Sequence, residues 1–163
     1  MSRHKTTLVL ETERFDAATR EFLGRLLPRA VDAAVRKIAF DVVDETARGL
    51  NGLGGLPKRI DTGRLRAGWR VALEDGGLPV PGSAAGSPES LTGDGEADLE
   101  RHYGHLVGVT VVNRVEYARH VEEGTVHMEP GKHLERALRV VRLRFPRDPT
   151  FSRDVSRAWR GLP

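Results

Sequence analysis

Residues 107–143 read V-G-V-T-V-V-N-R-V-E-Y-A-R-H-V-E-E-G-T-V-H-M-E-P-G-K-H-L-E-R-A-L-R-V-V-R-L, and the changes of apolar spacing along them decide the fold. Val107, Val109, Val111 and Asn113 fall on one side of an extended chain and Thr110 and Val112 on the other. With β-branched residues dominant, that alternation predicts a strand ending at Asn113 or Arg114. From Val115 the period lengthens. Val115, Tyr117 with Ala118, and Val121 follow helical spacing, Glu116, Arg119, His120, Glu122 and Glu123 take the other face, and Gly124 stops the turn. After a loop from Thr125 to Lys132, broken by Pro130 and Gly131, the residues Leu134, Ala137, Leu138, Val140 and Val141 form a second helical stripe.

Upstream, Thr6 to Glu11 reads as a short edge strand. Thr12 or Asp16 caps a helix whose stripe is Phe15, Phe22, Leu23, Leu26 and Leu27, and Pro28 imposes a kink or restart. From there Val31, Ala34, Val35, Ile38, Ala39, Val42, Val43 and Ala47 carry helical spacing to Arg48, with Gly49 as the stop. Such a helix spans about 30 Å, enough to cross a sheet face. Residues 50–56 are a glycine-rich loop. Asp61 or Thr62 then caps a single turn holding Arg64, Leu65 and Arg66, after which Gly68 to Leu73 reads as extended, with Trp69, Val71 and Leu73 on one face. Residues 75–97, rich in Gly, Pro and Ser, read as a flexible acidic insertion joining two strands as a long hairpin loop. In the tail, Phe145, Phe151, Val155 and Trp159 need a surface to bury on, and Ser152 or Asp154 starts a last short helix.

The expected fold is therefore α+β: a small antiparallel β-sheet packed by a long N-terminal helix and a shorter C-terminal helix, with a long Gly/Pro-rich hairpin loop. Residues 1–143 make one domain and residues 144–163 an Arg/aromatic tail.

Composition narrows the function. The 163 residues are 39% hydrophobic and 30% charged, and contain no cysteine, which excludes a disulfide framework and any cysteine-ligated metal. The apolar runs are too short to cross a bilayer and no signal peptide is recognisable, so a cytoplasmic site of maturation and no membrane partner are expected. The net charge of +3 hides segments of opposite sign: residues 74–100 carry seven acids and no base, residues 131–163 nine bases against three acids. That asymmetry suits head-to-tail contact between copies and also suits contact with phosphates.

Signs of catalysis are weak. His120, His127 and His133, with Glu122, Glu123 and Glu129 nearby, are residue types zinc accepts, but no H-E-x-x-H or equivalent spacing fixes them. His102 and His105 would fall on opposite faces by alternation. No nucleophile elbow and no phosphate-binding glycine loop is present. A non-enzymatic protein without cofactor is expected, with a metal-dependent hydrolase using His120, His127 and His133 as the third-ranked reading.

Two motifs together resemble a family. D-T-G-R-L-R at Asp61–Arg66 stands between a long helix and an expected strand, and V-x-N-x-V-x-Y-A-x-x-V-E-x-G-T at Val111–Thr125 is followed by M-E-P-G-K-H-L-E-R-A-L. Over residues 28–143 the chain resembles the neck, or tail-completion, proteins of tailed bacteriophages. It departs from their pattern in the long 75–97 insertion and in having Lys132, His133 and Leu134 where an aromatic–Pro pair is usual. The resemblance implies a structural virion protein at the head–tail junction, assembled in the bacterial host cytoplasm. It implies a homo-oligomeric ring of six copies between head connector or head-closure proteins and the tail terminator or tail tube, with DNA passing through the lumen. Candidate interface residues are Asp61, Thr62, Gly63, Arg64, Leu65, Arg66, Tyr117, Glu122, Gly124 and Thr125. Within them, Tyr117 is expected to pack under the sheet with its hydroxyl toward the E-x-G-T loop, and Glu122 to meet Arg64 or Arg66. Arg136, Arg139, Arg142 and Arg144 are the candidate DNA-facing or partner-facing bases. The alternative function is an Arg-rich nucleic-acid-binding regulatory module.

Overall fold

A computed structural model describes residues 12–52, 63–81 and 93–160. The strand expected at Thr6–Glu11, most of the glycine-rich loop and the caps at Asp61 and Thr62 lie outside them, as does the side chain of Phe15. In order, the elements are α1 (Thr12–Glu21), a π-helical turn (Phe22–Leu26), α2 (Leu27–Leu50), α3 (Arg64–Asp75), β1 (Gly95–His102), β2 (His105–Asn113), α4 (Ala118–Glu123), α5 (His133–Arg144), a 3-10 turn (Phe145–Arg147) and α6 (Pro149–Arg160). The α+β class is as expected.

The break at Pro28 takes the form of the π turn. Leu27 N–H donates to the Phe22 carbonyl, five residues back, and Pro28 then sits in the first turn of α2, where its missing donor costs nothing. α2 runs past Gly49, which is buried inside the helix, and ends at Leu50 with Asn51 as its C-cap. Its buried face, Ala39, Val43, Thr46 and Leu50, keeps helical spacing, and Thr46 satisfies its hydroxyl on the Val42 carbonyl at 2.7 Å.

The largest departure from expectation is α3. Gly68 to Leu73 is helical, not extended. Trp69, Val71 and Leu73 do alternate, but Leu65, Gly68, Trp69, Ala72 and Leu73 also recur at helical spacing, and it is Leu65, Gly68, Ala72 and Leu73 that are buried. Gly68 and Gly95 let the helix lie directly on the sheet: a Cβ on Gly95 would stand 2.2 Å from the Gly68 carbonyl oxygen. The acidic insertion accordingly joins α3 to β1 and does not bridge two strands.

The sheet is the two-stranded hairpin β1–β2, closed by a turn through Tyr103 and Gly104, with His102 and His105 as facing partners on the same side. A register shift at Glu100/Arg101 leaves Val107 out of the pairing. Leu106, fully buried, therefore takes the core position beside Val109 and Val111, and Val107 is left 40% exposed, contrary to simple alternation.

α2 and α3 both pack on the sheet, and their shared core holds Ala39, Val43, Leu73, Leu78 and Leu106. α5 packs mainly on α2, so it reaches the sheet through that helix, and α6 touches α2 and the π turn. Full burial of Leu50, Leu73 and Leu106 stabilises the fold by ~2 kcal/mol per side chain, more than any exposed ion pair contributes. The opposite face of the sheet, Glu96, Asp98 and Glu100 beside Thr110 and Val112, is left to solvent.

Candidate assembly surface

At the far end of α2 a second core cluster gathers Leu50, Leu65, Val115 and Val121, with Trp69, Tyr117, Ala118 and Met128 against them. It brings together residues from the two sequence motifs. Gly63 opens α3 in the left-handed region at φ 77°, a conformation glycine adopts without a steric cost, and its carbonyl accepts the Ala67 N–H at 2.9 Å. Leu65, two residues on, points into the cluster. From the other side, Asn113 donates its Nδ2 to the Leu65 carbonyl at 2.7 Å and accepts the Val115 N–H on Oδ1 at 3.1 Å. The last residue of β2 thus fastens the first turn of α3 and shapes the entry to α4.

The expected short helix ending at Gly124 is present as α4, and the loop after it folds back on that helix. Gly124 has φ 82°, and a Cβ there would lie 2.7 Å from the Met128 carbonyl oxygen. Thr125 and Met128 exchange backbone hydrogen bonds, at 2.8 and 3.2 Å, and Val126 at the tip is 97% exposed. Gly131 and Lys132 donate to the carbonyls of Val121 and Glu122, filling acceptors at the end of α4.

Glu122 closes the junction in return. Its carboxylate accepts the N–H of His133 at 2.9 Å and of Glu135 at 3.0 Å, capping the first turn of α5 from a different helix. Lys132, the residue before α5, has φ 51° and supplies no side-chain cap of its own. Sequence spacing does not reveal this cap, because the donors are backbone groups 11 and 13 residues away. A groove of about 310 Å³ beside the junction is lined by Leu65, Trp69, Arg119, Glu122 and His133 among others.

His133 is 1% exposed, whereas His120 and His127 lie on the surface. Among the described residues no group of three or more His, Asp or Glu side chains comes together to hold a metal ion. No helix among them is long and apolar enough to cross a membrane.

The four candidate bases of α5 separate. Arg144 donates to Glu45 of α2 at 3.2 Å, Arg139 pairs with Glu135 at 2.9 Å, and Arg136 is half-buried. Arg142 is exposed, and with it Leu138 at 51% and Leu143 at 59%. Leu138, expected in the buried stripe, is exposed; the inward line of α5 is His133, Ala137 and Val141, and it is the His133 N–H that the Glu122 carboxylate accepts.

A family model described as "Bacteriophage HK97-gp10, putative tail-component" matches residues 13–124. The chain belongs to the HK97-gp10-like family. The matched stretch runs from α1 to the glycine that ends α4 and includes both residues of the Asn113–Leu65 bond. The protein is thus a bacteriophage tail component, with a place in the virion and other virion proteins as neighbours. No curated protein and no solved structure matches the chain at a significant level. The match starts earlier than residue 28 and stops before the M-E-P-G-K-H-L-E-R-A-L segment, so α5 and α6 lie beyond it.

Proposed function

We propose that this HK97-gp10-like protein is a neck, or tail-completion, component. Six copies close a ring between the head connector and the tail terminator or tail tube, and DNA passes through the lumen. It acts by assembly and not by catalysis. The observation that carries the reading is the pair of unlike surfaces on the hairpin and on α5, the two elements that both pack against α2. The outer face of the hairpin presents Asp98 and Glu100, while the outer face of α5 presents Arg139 and Arg142 flanked by Leu138 and Leu143. An acidic face on one copy and a basic, partly apolar face on the next suit a heterologous contact, the kind that closes rings. The interface set around Gly63–Arg66, Tyr117, Glu122, Gly124 and Thr125 is then the rigid corner from which both faces are held.

Light scattering across concentration tests this, with and without the isolated connector and tail-tube proteins. A rise from monomer mass to a closed multiple, alone or on partner addition, is expected, and Leu138→Asp together with Leu143→Asp should abolish it. A monomer at every concentration that ignores those partners overturns the proposal.

A further inference from the structure

α6 carries its charge along one line. Arg153, Arg157 and Arg160 stand at i, i+4 and i+7, within a sector of about 60° on a helix of 3.6 residues per turn, and all three are exposed. The side that docks is fixed by ring contacts. Phe151 lies 6.3 Å from Phe145, and Trp159 lies 5.0 Å from Phe22 with the rings at 87°. Phe151, Val155 and Trp159 occupy the sector opposite the arginines, so docking of α6 on α2 and the π turn directs the arginines away from the body. Asp154 reaches Arg157 only at 3.6 Å, and neither Arg153 nor Arg160 has an ion pair among the described residues.

The two basic helices differ in what accompanies the charge. α5 shows Leu138 and Leu143 among its arginines, which gives a protein partner apolar surface to desolvate. The residues bordering the arginine sector of α6 are Pro149, Thr150 and Ser156, so no large apolar side chain there supplies an interface core. A ligand for this face must be held by charge, and its charges must be regularly and closely spaced. Three guanidinium groups spread over about 10 Å of helix match a duplex that carries one negative charge per ~1.7 Å of axis. We infer that the outer face of α6 binds the phosphate backbone of duplex DNA without reading its bases. The inference goes beyond the neck reading, since it needs neither a ring nor a tail partner.

The test is fluorescence anisotropy of a short labelled duplex with the full chain, with light scattering on the same samples to follow assembly separately. Three phosphate contacts give a log–log salt slope of about −2.7, so binding should weaken about 40-fold between ~50 and ~200 mM salt. Arg153→Gln/Arg157→Gln/Arg160→Gln should remove that slope while leaving the circular dichroism spectrum unchanged. The same three positions changed to Lys should retain it, because the charge count is preserved. A control with equal charge loss elsewhere, Arg20→Gln/Arg101→Gln/Arg119→Gln, should bind as the parent does. Failure of the parent to bind duplex at the lowest salt overturns the inference, as does equal loss in the control. A glutamine variant that binds DNA normally but no longer joins a tail or connector protein assigns the face to protein and overturns it too.

Discussion

Asn113 and Leu65, 48 residues apart in sequence, are joined by a 2.7 Å hydrogen bond from the Asn113 amide to the Leu65 carbonyl. The same side chain accepts the Val115 N–H, so one amide holds the first turn of α3, the end of β2 and the approach to α4. Asn113→Ala removes both bonds in a half-buried site and should destabilise the protein by about 1–3 kcal/mol, read as a lower urea midpoint at unchanged slope. Asn113→Asp keeps the acceptor but faces a carboxylate toward a carbonyl, and should lose at least as much at neutral pH.

Glu122→Ala should cost about 1–2 kcal/mol through the loss of two charge-assisted bonds at the α5 N-terminus. Glu122→Gln retains acceptor oxygen and should cost less. If Glu122 additionally meets Arg64 or Arg66 of a neighbouring copy, Glu122→Gln will weaken association measured by light scattering far more than it lowers the unfolding midpoint. Equal shifts in both would confine Glu122 to the cap.

Asp148 is held at a pKa of about 2, below the usual carboxylate range, first by hydrogen bonds from Thr150 and then by Lys37, whose Nζ lies 3.3 Å away. A carboxyl with a lowered folded-state pKa adds stability that is fully present above the unfolded value, ~4, and lost as pH falls through ~2. Asp148→Asn should therefore flatten the part of the pH–stability curve in that window and leave the curve's shape near neutrality unchanged. Thermal melts over the acid range, followed by the fluorescence of Trp69 and Trp159 together, provide the measurement.

Two glycines should respond in opposite directions to alanine. A Cβ on Gly95 meets the Gly68 carbonyl at 2.2 Å and the Ala72 Cβ at 2.9 Å, so Gly95→Ala pushes α3 off β1 and should cost about 1–3 kcal/mol. Gly24, in the π turn, has no atom within 4 Å of its Cβ position, and Gly24→Ala should raise stability by about 0.5–1 kcal/mol by restricting the unfolded chain. Paired thermal melts will show both signs or refute the packing described.

Much of the chain was legible wherever one period ran without competition. The apolar faces of α2 and α4 and the β-branched run of β2 fall where spacing puts them, and Gly124 ends its helix as its backbone dihedrals require. Elsewhere a tertiary fact outvotes the local one. Residues 68–73 satisfy both periods, and the deciding feature is Gly95, beyond the long insertion, which leaves room for a helix backbone. Val107 departs from simple alternation because a bulge changes the parity of a strand without marking the residues on it. The alternation that separates His102 from His105 fails for a simpler reason: a two-residue turn lies between them. In the candidate site, Leu65 and Tyr117 do meet in one cluster, while the partners found for the Glu122 carboxylate are main-chain groups, which no side-chain pattern announces.

The cap that Glu122 places on α5 also bears on how such a chain can be modified. It recognises only two main-chain N–H groups, so the identity of the helix plugged into it is immaterial to the bond. The family match ends two residues beyond Glu122. That carboxylate is a generic socket at the exit of the matched body, to which a different C-terminal arm can be grafted if its first turn is free to dock and its inward face matches the buried His133, Ala137 and Val141 positions of α5. Chimeras cut after Gly131, which keep Met128 and the loop that folds back on α4, would exchange the outward-facing chemistry of the particle while leaving the corner that builds it intact.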